Sequence, residues 1–172
     1  MQKIPTQEFP KPKPKPHSAV YLETSVLVAR ATAGKTTQLA PTHDLWDFME
    51  AGCCRFVASE VVEKEANRGY EKTKNLFDAT FSPRDILPLT SDAIALANQY
   101  IAHGVLTANH FDDACQVAIC TLAGIRWLVS WNFHYVKPER SAKFNRVNHL
   151  HGLPFVYIVQ PHEYLIQSRR SL

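Results

Sequence analysis

The stretch AVYLETSVLVA, residues 19–29, decides how this chain is read. Its first four residues are nearly continuous in apolar character, as a strand covered on both faces should be. The run then meets a carboxylate, Glu23, and two hydroxyls, Thr24 and Ser25. A charge at the end of a buried strand is costly unless solvent, a partner or a metal compensates it. The reading therefore turns on whether other carboxylates gather beside Glu23.

Working outward, similar short runs recur at 55–58 (RFVA), 86–89 (ILPL), 126–129 (RWLV) and 155–159 (FVYIV). Helical patterns lie between them. HDLWDFMEAG, residues 43–52, puts Leu45, Phe48 and Met49 on one face and ends at Gly52. SEVVEKEANRG runs from a cap at Ser59 to Gly69, and SDAIALANQYIAHG from a cap at Ser91 to Gly104. DDACQVAICTLAG is small and apolar over much of its surface and stops at Gly124, which suits a buried helix. Strand and helix in this alternation predict right-handed crossovers and a mainly parallel sheet, hence one α/β domain over 18–172.

Residues 1–17 differ in kind. PKPKPKP, residues 10–16, alternates prolines with lysines, and proline removes amide donors and favours extended polyproline II. The expectation is a flexible solvated arm that either touches RNA or a partner or only solubilises. Four lysines against one glutamate in residues 1–16 account for the whole formal charge of +3. The body is thus neutral, and any affinity for nucleic acid must come from local patches. The chain is 45% hydrophobic and 20% charged, a globular composition. No apolar run reaches transmembrane length and no secretory h-region is visible. Cys53, Cys54, Cys115 and Cys120 form no CxxC pattern and read as reduced thiols of a cytoplasmic protein.

In parallel α/β sheets the functional crevice lies at the carboxyl ends of the strands. Glu23 ends the first strand, Glu65 lies in the helix after the second, and Asp112 and Asp113 open DDACQVAIC. After the fourth strand comes SWNF, with Ser130 and Asn132. Oxygen ligands from four separate segments are what Mg²⁺ or Mn²⁺ needs, and carboxylates gathered without a cation or a proton repel one another. Plainer readings stand beside this one. Asp112 and Asp113 also suit the positive end of a helix macrodipole, with Asn109 available as a cap. Glu60 and Glu63 read better as a solvated face, with Glu60 four residues before Lys64.

Taken in order, VYLETSVL, FVASEVVEKEANRG, DDACQVAIC and LVSWNFHYV resemble the PIN-domain family, especially the VapC-like toxin ribonucleases. The closing FNRVNHLHGLPFVYIVQPHEYL is similar to the end of a PIN subgroup that carries SWNF. The resemblance implies a three-layer α/β/α domain with a mainly parallel sheet and an acidic pocket for Mg²⁺ or Mn²⁺. It implies metal-dependent hydrolysis of RNA phosphodiesters in tRNA or mRNA, an antitoxin partner in a type II toxin–antitoxin pair, and a homodimer. Glu23, Glu65 and Asp113 fall on the family's catalytic acids, with Asp112 and Asn132 as further metal ligands and Thr24, Ser25 and Ser130 in support. Two departures matter. Glu23 stands where the family usually has the shorter aspartate, and Gln116 stands where the subgroup often has histidine. Asn132, neutral where many members have a fourth acid, joins Glu23 in leaving open a catalytically degenerate PIN domain that binds RNA or protein.

An acidic pocket that receives RNA needs positive flanks. His134, Lys137, Arg140, Lys143 and Arg146 follow the SWN segment closely and are the expected phosphate contacts, or else an ordinary solvated helix face. Trp131 and Tyr135 could stack on bases, although core packing suits Trp131 better. His149 and His151 flank Leu150 with no cysteine near, which argues against zinc. No GxSxG nucleophile motif is present.

Overall fold

A computed structural model describes residues 18–132, 134 and 137–169. The arm at 1–17 and Tyr135 lie outside the described residues.

The apolar half of the opening stretch forms β1 (Ser18–Leu22), the centre of a five-stranded parallel sheet. The other strands are β2 (Cys54–Ser59), β3 (Ile86–Leu87), β4 (Trp127–Val129) and β5 (Tyr157–Val159), in the order β3-β2-β1-β4-β5. Val20 pairs with Phe56 on one side and Trp127 on the other, and Leu22 pairs with Val129. Val20, Tyr21 and Leu22 have no exposed surface, as expected of a strand flanked on both edges and covered on both faces.

The helices are α1 (Thr24–Ala31), α2 (Thr36–Glu50), α3 (Glu60–Arg68), α4 (Glu71–Thr80), α5 (Ser91–Ala102), α6 (Phe111–Leu122), α7 (Pro138–Leu150) and α8 (Pro161–Arg169). For this strand order the right-handed crossover rule assigns α1 to α4 to one face of the sheet and α5 to α7 to the other, in keeping with the packing of α1 on α2 and α4 and of α5 on α6 and α7. From β1 the chain moves outward through β2 to β3, then returns past β1 to β4 and β5. The direction of winding therefore reverses between β1 and β4, the switch point at which open parallel sheets form their crevice.

The elements depart from the sequence expectation in instructive places. Residues 24–31 leave the strand and form α1, whose Val26, Leu27 and Ala29 enter the core. Helix α2 begins at Thr36, so Pro41 lies inside it, and the buried Leu45 and Trp46 anchor that helix to the core. Thr90, not Ser91, caps α5, its hydroxyl accepting from the Ala93 amide at 3.2 Å. The third strand stops at Leu87: Pro88 has no amide to pair, and the Leu89 amide donates to the Glu60 carboxylate at 2.7 Å. Glu60 is exposed, as the solvated-face reading expected, and makes this contact from the surface. The fifth strand starts at Tyr157 because the Asn145 side chain takes both backbone groups of Val156, each at 2.9 Å. All four cysteines are free.

Candidate functional site

Glu23 answers the question raised by the opening stretch. It is the N-cap of α1, in extended conformation, and its Oε2 accepts from the Ser25 amide at 3.0 Å. The same oxygen accepts from the Ser25 hydroxyl and from Ser130 Oγ at 2.8 Å, reaching across to the end of β4. Ser25 Oγ in turn accepts from the Trp131 amide at 2.8 Å. The two strand ends at the switch point are thus laced together by hydroxyls around one carboxylate. Burial pushes the Glu23 carboxyl up to about 7; the Ser25 and Ser130 hydrogen bonds oppose the shift, and nearby Glu65 adds to it.

Glu65 reaches the same edge from α3, after β2. Its Oε2 accepts from the Thr24 hydroxyl and from Gln116 Nε2 at 3.4 Å. Gln116 is fully buried, and its orientation is set by Tyr21, whose hydroxyl donates to Gln116 Oε1 at 3.2 Å and shares a hydrogen bond with Ser59 Oγ at 2.6 Å. With the amide oxygen occupied by Tyr21, the amide nitrogen faces Glu65. Burial raises the Glu65 carboxyl above its ordinary value, Thr24 pulls it down, and Asp113 and Asp112 push it further up.

Asp112 and Asp113 sit in the first turn of α6, which has no side-chain cap. Together with residues 108–111 and Glu65 they line a cleft of about 330 Å³. Asp113 Oδ2 lies 3.3 Å from His110 Nδ1. Burial raises the Asp113 carboxyl, and His110 and then His134 oppose the shift. The imidazoles of His110 and His134 pack with centroids 4.9 Å apart. His110 was not foreseen from the sequence, because its role depends on the turn that stacks Ala108–His110 against the start of α6.

The structure therefore brings Glu65, Asp112 and Asp113 to one cleft, with Glu23 electrostatically coupled to Glu65 but only 5% exposed behind it. Asn132 is not among the residues that line the cleft: its Oδ1 accepts from the His134 backbone amide at 3.0 Å, and its own backbone amide donates to Ser130 Oγ at 2.8 Å. Arg140, Lys143 and Arg146 all lie on α7, as the helical reading required. Lys137, the N-cap residue of that helix, is exposed, as are Lys143, Arg146 and His134. Arg140 is half-buried, and its guanidinium donates to the Val105 carbonyl. Trp131 is a core residue whose indole N–H donates to Thr42 Oγ1 at 3.0 Å.

The chemistry of this edge suits a hard divalent cation. Among the described residues every donor to Glu23 and Glu65 falls on one oxygen, Oε2, and His110 meets Asp113 at Oδ2. Each carboxylate keeps its other oxygen without a donor among the described residues. Oxygen-only ligands of this kind match Mg²⁺ and Mn²⁺. The fit is one of donor type, since among the described residues no three His, Cys, Asp or Glu side chains stand close enough to hold one ion together.

No protein-family model matches the sequence, and no curated protein matches it. Among solved structures, the chain is similar to one in the crystal structure of VapBC2 from Rickettsia felis bound to a DNA fragment from their promoter. The two share 10% identity with a TM-score of 0.50, over 83% of this chain and 98% of that one. Likeness at this level is one of fold, and the fold is the PIN-like α/β/α arrangement that the ordered sequence motifs led us to expect.

Proposed function

We propose that this protein is a metal-dependent endoribonuclease of the VapC-like PIN type, in the subgroup carrying SWNF, and the toxin of a type II toxin–antitoxin pair acting on tRNA or mRNA in the cytoplasm. The observation that carries this reading is the gathering of Glu65, Asp112 and Asp113 around one cleft, with Glu23 buried and within electrostatic reach of Glu65. Donors from α1, from α6 and from Ser130 just after β4 converge on a single oxygen of Glu23 or Glu65, which orients each side chain and leaves its second oxygen without a donor among the described residues.

Glu65 and Asp113 would hold Mg²⁺ or Mn²⁺ in the cleft, with Glu23 behind them and Asp112 at the rim. When bound, such an ion lowers the pKa of a coordinated water and polarises a phosphate oxygen. The chain's own residues do the positioning. Thr24 and Gln116 orient Glu65, while Ser25 and Ser130 orient Glu23. Lys143 and Arg146, exposed along α7, supply phosphate contacts beyond the acidic edge, joined by Lys137 and His134. The Rickettsia felis structure is of VapBC2 on promoter DNA, and likeness to a chain of that complex supports an antitoxin partner here; the homodimer is what the resemblance of the motifs to VapC-like ribonucleases implies. No helix among the described residues is long and apolar enough to cross a membrane.

A second reading rests on its own observation. Glu23 is buried with a carboxyl titrating near neutrality, and Asn132 Oδ1 is committed to a backbone amide. A PIN-like domain with two ligands withdrawn would bind RNA or protein without cleaving. The deciding experiment is cleavage of total RNA with Mn²⁺ by wild type, Glu65→Gln and Asp113→Asn. The nuclease reading expects cleavage that falls by at least about 100-fold in each variant, the scale of losing several kcal/mol of charge stabilisation. RNA binding that is insensitive to EDTA, without cleavage, would establish the second reading instead.

A further inference from the structure

The His110 side chain stands at the mouth of the cleft in a place that the carboxylate pattern leaves unexplained. Glu23 and Glu65 each receive hydroxyl, amide or side-chain amide donors, whereas Asp113 has none of these among the described residues. Its side chain instead meets His110 Nδ1 at 3.3 Å, three residues earlier in the chain. His110 is itself held by the His134 ring, at a centroid distance of 4.9 Å and an interplanar angle of 37°. His134 is tied in turn by its amide to Asn132 Oδ1, at the end of β4. The contacts run from the switch point through two imidazoles to Asp113.

We propose that His110 is the positioning residue for Asp113: its Nδ1–H engages Oδ2, and His134 restrains the imidazole, so that Oδ1 is presented to a divalent cation in the cleft. The inference deepens the reading of the cleft as a cation site and rests on it. An Nδ1–H that faces Oδ2 supplies a donor to that oxygen and leaves Oδ1 for the cation. The arrangement makes Asp113 the counterpart of Glu23 and Glu65, with one oxygen engaged by the protein and one left over. It also gives the SWN segment a part in the site beside direct ligation, because Asn132 reaches Asp113 through His134 and His110.

Calorimetric titration of Mn²⁺ into the full chain tests this. Residues that orient a ligating side chain typically govern about 10–100-fold in metal affinity. His110→Ala should weaken Mn²⁺ binding by that factor, while His110→Asn, whose side-chain amide can donate from near the Nδ1 position, should stay within about 3-fold of wild type. Thermal unfolding of the metal-free proteins accompanies the titration, so that a general loss of structure in His110→Ala is recognised; the Asn variant then decides alone. Equal affinity in wild type and a folded His110→Ala overturns the inference and leaves the cation site standing. A His110→Asn protein that is folded but as weak as His110→Ala also overturns it. Absence of Mn²⁺ binding by wild type overturns the inference and the cation reading together.

Discussion

Replacing Glu23 with glutamine should make the metal-free protein more stable at alkaline pH, and the size of the gain follows from the burial of one carboxyl. The group's ordinary value of 4.5 is pushed up to about 7 in the fold. Between those values the folded state holds a proton that the unfolded chain has released, so stability declines as pH rises. The stabilisation associated with protonated Glu23 is complete below about pH 4.5 and is lost as pH passes through 7. A shift of this size corresponds to about 3 kcal/mol in full, of which about 2.5 kcal/mol falls between pH 5 and pH 8. Glutamine keeps an acceptor for Ser25 and Ser130 but cannot ionise. Urea unfolding in EDTA at pH 5, 6, 7 and 8 gives the measurement, and the informative quantity is the difference between wild type and Glu23→Gln. That difference removes the parallel contributions of Glu65 and Asp113, whose carboxyls are raised as well. It should grow by about 2–3 kcal/mol from pH 5 to pH 8 in favour of the variant. Mn²⁺ at pH 8 should close the gap by stabilising wild type through binding. Parallel pH profiles in the two proteins would show that Glu23 is solvated, and the claim of a buried charge awaiting a partner would fall.

Tyr21→Phe should cost about 1–3 kcal/mol in urea unfolding, since it leaves Gln116 Oε1 and Ser59 Oγ buried with a partner removed. A loss under about 0.5 kcal/mol would mean that Gln116 is held by other contacts. Asn145→Ala should cost about 2–5 kcal/mol by the same assay, because both backbone groups of the fully buried Val156 lose their partner. If the loss were small, an extended β5 pairing through Val156 would be indicated. Changing Lys143 and Arg146 together to alanine should weaken RNA binding and lower the slope of log K against log salt by about 1.4, or about 0.7 for each phosphate contact to a single strand. An unchanged slope would return α7 to an ordinary solvated face.

How much of this was legible in the residues differs by kind of feature. The five strands and the helices from Ser59 and through DDACQVAIC were visible because short apolar runs, caps and terminal glycines are local signals. Gly104 and Gly124 do end their helices in the left-handed region, at φ of 65° and 67°. The split of residues 19–29 at Glu23 was only half legible. The carboxylate marked the strand end, but that it caps a new helix depends on extended backbone at Glu23 and on the core that takes Val26 and Leu27. Ends of strands shifted where a side chain from elsewhere took the backbone, as Glu60 does at Leu89 and Asn145 at Val156. Such contacts join residues far apart in the chain, so no local pattern announces them.

The sequence alone determined the α/β class, the parallel sheet and the acids to watch, because hydrophobic periodicity and the placing of charge at strand ends are written residue by residue. Tertiary structure decided which acids share a cleft. It set Glu65, Asp112 and Asp113 around one opening, buried Glu23 behind them, turned Asn132 to a backbone amide and brought His110 against Asp113. Those outcomes depend on the reversal of winding between β1 and β4, which places the ends of distant segments side by side. Which oxygen of a carboxylate is engaged, and how far its ionisation is displaced, follow from neighbours that only the folded chain supplies.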